Sequence, residues 1–205
     1  MNHINTLGGA VIGQATKFAD KTAFICKGTE TSFHDFNLRV NRLCWGLSDL
    51  GLVKGNRVAI FSRNRTEYVE TYCVGKAGLV GMPLNWRLAP AELVNLLIDS
   101  EAAVIIADEH HAPVVDGMRD DLHFVRRFIH LDGPREGWLS YQELLDRASD
   151  QEPEAEVLSG DPLCLFYTSG TTGKPKGVVL THGGVMQNSA EGAALQLGLT
   201  PDDVA

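Results

Sequence analysis

The sequence predicts an α/β fold, a parallel sheet with helices on both faces, and three observations predict it. Short, nearly continuous apolar runs recur at 57–61 (RVAIF), 79–84 (LVGMPL) and 103–107 (AVIIA). Segments of helical periodicity, each with its own start and stop residues, separate them. Continuous rather than alternating apolar runs suit strands covered on both faces, and right-handed strand–helix–strand crossovers build such a sheet.

The elements follow in order. Residues 22–26, a turn at Lys27 and Gly28, and residues 30–33 read as a short hairpin. Ser32 with Asp35 forms a capping signal for a helix whose stripe is Phe36, Val40, Leu43, Leu47 and Leu50, and Gly51 supplies the stop. After the 57–61 strand, Asn64 and Glu67 are expected to cap a helix with Val69, Tyr72, Cys73 and Lys76 on one face, closed by Gly78. Pro90 opens the next helix, whose buried stripe is Leu93, Leu96 and Leu97, and the 103–107 strand follows. Residues 124–130 are a further strand and 141–148 a short helix. Residues 149–161, acid-rich and carrying Pro153, read as a solvated connection.

The bulk properties exclude several classes. The 205 residues, 44% hydrophobic and 21% charged, are enough for one substantial core. A formal charge of −8 with no dense basic run argues against a nucleic-acid partner. The N-terminus reads neither as a signal nor as a transit peptide, and no apolar run approaches the roughly 20 residues of a bilayer span. A cytoplasmic location is therefore expected. Cys26, Cys44, Cys73 and Cys164 stand singly in apolar segments, as reduced, buried thiols do.

The chemistry concentrates at 163–180. An apolar run (LCLFY) leads into Thr168, Ser169, Gly170, Thr171, Thr172, Gly173, Lys174, Pro175, Lys176 and Gly177, and then into VVL. Glycines at 170, 173 and 177 let the backbone turn and approach an anion, the hydroxyls donate hydrogen bonds, and the two lysines supply positive charge. The set suits a polyphosphate. A kinase-type phosphate loop would place Ser or Thr directly after its lysine and open into a helix; here Pro175 follows Lys174 and a β-branched run follows Gly177. The loop is therefore expected to join two strands. Three ordered glycines, four hydroxyls and two lysines between apolar runs also exceed what a plain surface turn requires.

The string YTSGTTGKPKG at 167–177, continued by VVLTH to His182, resembles the AMP-binding signature of the adenylate-forming superfamily, which includes acyl-CoA synthetases, aryl-CoA ligases, luciferases and peptide-synthetase adenylation domains. The resemblance extends upstream through 31–38, 46–60, Asn64 with Glu67, and 78–93, so residues 1–205 read as the N-terminal part of the large domain of that fold, with 167–177 its phosphate-binding loop. It implies ATP-dependent conversion of a carboxylic acid to an acyl-AMP with loss of pyrophosphate, then transfer to the thiol of coenzyme A or a carrier arm, with Mg2+ accompanying ATP. The residues it implies for nucleotide binding are Thr168, Ser169, Thr171 and Thr172 as hydroxyl donors, Gly170 and Gly173 as close-approach positions, and Lys174 and Lys176 as charge partners. It places no catalytic residue and no metal ligand within this chain.

The resemblance also implies parts that lie beyond Ala205: the adenine and ribose motifs, the hinge, and a small C-terminal domain with a catalytic lysine. The chain is accordingly expected to be a truncated piece that cannot make an acyl-adenylate alone. The leading expectation is an acyl-CoA synthetase for a fatty or other hydrophobic acid. An aryl-acid–CoA ligase, a peptide-synthetase adenylation domain and a noncatalytic module that associates through exposed apolar surface, as a homodimer for example, stay open. His182 is expected to cap or pack, His110 and His111 not to form a metal site, Trp86 to pack, and Arg87 to be an exposed or paired charge.

Overall fold

A computed structural model describes residues 5–168 and 175–192 of the chain. Its centre is a seven-stranded sheet. In chain order the strands of that sheet are β3 (Arg57–Phe61), β4 (Val80–Pro83), β5 (Val104–Ala107), β6 (Arg127–His130), β7 (Leu139–Ser140), β8 (Pro162–Thr168) and β9 (Lys176–Thr181). Their spatial order is β7-β6-β5-β3-β4-β8-β9, parallel throughout except for the antiparallel pair β8–β9. The expected hairpin stands apart as β1 (Thr22–Cys26) and β2 (Thr29–Ser32). Its two-residue turn has φ of 50° at Lys27 and 82° at Gly28, both positive as a type I′ turn requires.

The pleat sorts the strand side chains between two helical layers. Ala59, Phe61, Met82, Ile105 and Ala107 face one way and pack against Leu93, Leu96 and Leu97 of α4 (Pro90–Ser100) and Ala112 and Val115 of α5 (Ala112–Asp116). Val58, Ile60, Val104, Ile106 and Ile129 face the other way, onto Leu43 and Leu47 of α2 (Phe33–Asp49) and Tyr141 and Leu145 of α6 (Tyr141–Arg147). The strands read from 57–61 and 103–107 are thus buried on both faces, as their continuous apolar character requires.

Local signals set the helix ends. The Ser32 hydroxyl accepts from the Asp35 amide at 3.0 Å and α2 stops at Gly51, whose φ is +84°. The Glu92 carboxylate accepts from the Ala89 amide at 2.9 Å, with Pro90 at the first position of α4. One cap differs from expectation. The residue before α3 (Thr66–Tyr72) is Arg65, not Asn64, and no side chain caps it. The Arg65 guanidinium binds the Glu67 carboxylate at 2.7 Å and Asp132 at 2.7 Å, tying the helix start to the loop after β6. Sequence reading also passed over α1 (Leu7–Lys17), capped by the Thr6 hydroxyl and packed through Leu7 and Val11 against Phe36 and Val40.

Residues 149–161 form an irregular, mostly exposed connection, yet it is pinned to α2. The buried Lys76 ammonium donates to Asn37 Oδ1 and Asn41 Oδ1, each at 2.6 Å, and pairs with Glu152 at 2.5 Å. All three of its donors are satisfied, which a buried ammonium requires. Burial pushes the Lys76 amine below its ordinary value and the Glu152 pairing opposes that push. The same carboxylate, which burial would raise, is held low by donors from Asn37 and Lys76. Trp45 Nε1 donates to the Gln151 carbonyl at 2.9 Å, and Lys54 pairs with Asp161 at 2.6 Å.

Cys44, Cys73 and Cys164 are buried free thiols, whereas Cys26 is only half-buried, at the hairpin turn. Burial pushes Cys44 and Cys164 up to about 12, which leaves these thiols protonated and unreactive.

Candidate functional site

The loop singled out by the sequence joins β8 to β9, two antiparallel strands, as the β-branched run after Gly177 required. Of the eight residues assigned to nucleotide, Thr168 and Lys176 are described; Ser169, Gly170, Thr171, Thr172, Gly173 and Lys174 lie outside the described residues. Thr168 and Lys176 are directly opposite each other, the last paired rung before the loop, and both are exposed. Directly opposed residues share a face of the sheet, so a hydroxyl donor and an ammonium stand side by side at the loop's mouth. That donor set fits phosphate oxygens.

The hairpin sits at the carboxyl-end side of the parallel strands. Strand β8 pairs β4 in parallel through Gly81 and Cys164 and then runs on to Thr168. Ligands of open α/β sheets bind outside the carboxyl ends of the strands, where neighbouring strands send their connections to opposite faces. Here β3 is followed by α3 on one face and β4 by α4 on the other.

Gly177 plays a part other than the turning role its composition indicated. It lies within β9, opposite Tyr167, and a Cβ built there would sit 3.5 Å from Cε1 and Cζ of the Tyr167 ring and 3.1 Å from Leu165 Cδ1. A side chain there would crowd the Leu165 methyl, whereas its distance to the ring is ordinary van der Waals contact.

The remaining candidates fall as follows. His182 is fully buried at the start of α7 (His182–Ala190); its Nδ1 accepts from the Leu7 amide at 3.2 Å, while the cap of α7 is the Thr181 hydroxyl. Burial first, with Lys54 nearby, lowers its basicity, against the opposing pull of Asp161. His111 lies buried against Phe61, its Nδ1 2.5 Å from Asp108 Oδ1; burial would raise that carboxylate, and the His111 contact holds it below the usual range. Among the described residues no three His, Cys, Asp or Glu side chains converge as a metal site. Trp86 is half-exposed and packs at the surface, with the guanidinium groups of Arg87 and Arg63 at 4.7 Å and 5.2 Å from its ring. No helix among the described residues is long and apolar enough to cross a membrane.

Comparison with known proteins identifies this architecture. The family model described as AMP-binding enzyme matches residues 12–205. An indoleacetate–CoA ligase of Aromatoleum aromaticum is 35% identical over 185 residues, 89% of this chain and 36% of the relative. The long-chain-fatty-acid–CoA ligase FadD13 of Mycobacterium tuberculosis is 35% identical over 185 residues, covering 87% and 35% respectively. Among solved structures, the anthranilate CoA ligase AuaEII superposes with a TM-score of 0.90 at 26% identity over 95% of this chain and 38% of that one. A Mycobacterium tuberculosis fatty acyl CoA synthetase superposes with a TM-score of 0.82 at 31% identity, covering 99% and 39%. The chain spans about a third of the length of the curated relatives it matches. A parallel sheet of this order, carrying this hairpin at its carboxyl-end side and matched by the family model over nearly its whole length, belongs to the AMP-binding enzyme family.

Proposed function

We propose that this chain is the N-terminal part of a ligase that activates a carboxylic acid with ATP and passes the acyl group to coenzyme A. The observation that carries the reading is the β8–β9 hairpin, with its hydroxyl, glycine and lysine sequence and the Thr168–Lys176 rung at its mouth. In the first half-reaction a carboxylate oxygen attacks the α-phosphorus of ATP, the bond to the bridging oxygen breaks, and pyrophosphate leaves carrying the electron pair. Charge builds on that leaving group, and prearranged donors around it lower the barrier. Thr168, Ser169, Thr171 and Thr172 serve as hydroxyl donors, Gly170 and Gly173 admit close approach, and Lys174 and Lys176 neutralise charge. In the second half-reaction the coenzyme A sulfur attacks the acyl carbon, AMP leaves, and the thiol proton is released. Magnesium would enter on the nucleotide phosphates and supply further charge neutralisation.

The residues that complete the acid pocket, the adenine and ribose contacts and the second half-reaction are assigned to sequence beyond this segment. In the same reading, Val178, Val179 and Leu180, exposed on β9, are covered by that remainder, and the enzyme acts in the cytoplasm, where the buried thiols stay reduced. The acid is fatty or otherwise hydrophobic. An aryl acid is the second reading, favoured by the indoleacetate–CoA ligase and by a feruloyl-CoA synthase at 36% identity.

The test is carboxylate-dependent exchange of labelled pyrophosphate into ATP by the complete ligase, with fatty and aryl acids side by side. Exchange with one class, reduced on the order of 10²-fold by Lys174→Ala, is the expected result. Exchange indifferent to that substitution would remove the loop from the chemistry.

A further inference from the structure

We propose that Tyr167, Gly177 and Asp99 form a clamp that positions the two strand ends presenting the phosphate loop, with Tyr167 as a positioning residue of the nucleotide site. The need for one follows from the topology. Strand β8 is hydrogen-bonded to β4 around Gly81 and Cys164, and from there to Thr168 its only sheet neighbour among the described residues is β9. Among the described residues strand β9 is itself an edge, and it is exposed from Lys176 to Leu180. Backbone pairing therefore secures the two arms to each other but only weakly to the rest of the sheet. What fixes them is side-chain contact on both faces.

On one face the Tyr167 hydroxyl donates to Asp99 Oδ2 at 2.6 Å, in the last turn of α4. The ring packs with Leu165 against the core cluster that includes Leu93, Leu96 and Leu97. It also lies beside Gly177, directly across the hairpin, where a Cβ would be in ordinary contact with the ring at 3.5 Å. One side chain thus touches both arms and ties them to a helix. On the other face Phe166 stacks on Tyr72 of α3 at 6.0 Å between centroids, and Tyr72 meets Tyr68 edge-on at 5.7 Å. The strand entering the loop is gripped between α3 and α4, the two helices whose starts flank the carboxyl ends of β3 and β4. The first and last residues of the 167–177 signature are then explained as a cross-strand pair that sets where Thr168 and Lys176 stand.

The kinetic arm of the test rests on the acid-activating reading; a second arm does not. In the complete ligase, Tyr167→Phe and Asp99→Ala should each lower kcat/KM for ATP in pyrophosphate exchange about tenfold, the loss of one hydrogen bond to a charged acceptor, and leave KM for the acid unchanged. Asp99→Asn keeps an acceptor oxygen and should return to within about twofold of wild type, and the double variant Tyr167→Phe/Asp99→Ala should be no worse than either single change. Hydrogen–deuterium exchange should show the amides at 166–168 and 176–178 opening faster in Tyr167→Phe and Asp99→Ala, with β3 and β5 unchanged. Wild-type rates at those amides in Tyr167→Phe, additive losses in the double variant, or loosening spread evenly over the whole sheet would each overturn the clamp. A ligase that shows no acid-dependent exchange at all would sink the acid-activating reading, and the amide rates would still decide the clamp.

Discussion

Strands β5 and β9 are made of the same kind of residue and are placed in opposite surroundings. Val104–Ala107 is buried at every position, while Lys176–Thr181, with its Val178, Val179 and Leu180, is exposed at all but its last residue. The first lies between β3 and β6 under helices on both sides; the second has β8 as its one neighbour among the described residues. An apolar β-branched run therefore specifies extended backbone in both places, and burial is decided by what the topology brings to its faces. The framework is held by its core. The β8–β9 hairpin is held by cross-strand pairing and a few side-chain anchors.

Stability measurements can break that contrast. Ile105→Ala, in the fully buried centre of β5, should cost about 3 to 4 kcal/mol in urea unfolding, since the cavity cannot collapse between two helical layers. An equal loss at Val179 would mean that β9 is buried against something else. Lys76→Met should cost about 2 kcal/mol, because it strips donors from Asn37, Asn41 and half-exposed Glu152 while keeping the stem's volume. A neutral outcome would show that 149–161 is not pinned by this pair.

Acid should act next most strongly. His182 has a folded value below its ordinary one of about 6.5, so its neutral form is favoured in the native state; the stability this brings is present above about pH 6.5 and is lost as pH falls through the folded value. The carboxylates of Glu152, Asp108 and Asp132 are also held low, so their contributions are lost further down, below about pH 4. His182→Asn, whose side-chain oxygen can accept from the Leu7 amide, should flatten the fall in urea midpoint between about pH 7 and about pH 5. An unchanged slope would place that titration elsewhere. The smallest effect belongs to Val179→Thr, within about 0.5 kcal/mol of wild type.

How much was legible follows the same division. The 57–61 and 103–107 strands, the α2 caps at Ser32 and Gly51, and the two strands flanking the loop were readable because their signals are local. The α1 helix was passed over because glycines interrupt its stripe and only Gly8 and Ala15 are buried. Asn64 looked like a cap, but Arg65 takes that place because its guanidinium finds Asp132, 67 residues away in sequence. The Lys76–Glu152 node and the Tyr167–Asp99 contact likewise join residues far apart in the chain, and nothing in residue order marks one as the other's partner. Within the candidate site, residue order offered Thr168 and Lys176 as proposed phosphate contacts, whereas their pairing as one cross-strand rung and the crowding of Gly177 by Leu165 depend on how β8 and β9 meet.

The most direct test of the central claim, that this segment supplies the phosphate hairpin on its sheet but not the rest of the adenylating site, is pyrophosphate–ATP exchange by residues 1–205 alone across a panel of fatty and aryl acids. The account predicts exchange no higher than background with every acid. Acid-dependent exchange that falls with Lys174→Ala would contradict it, because the segment would then be adenylating unaided.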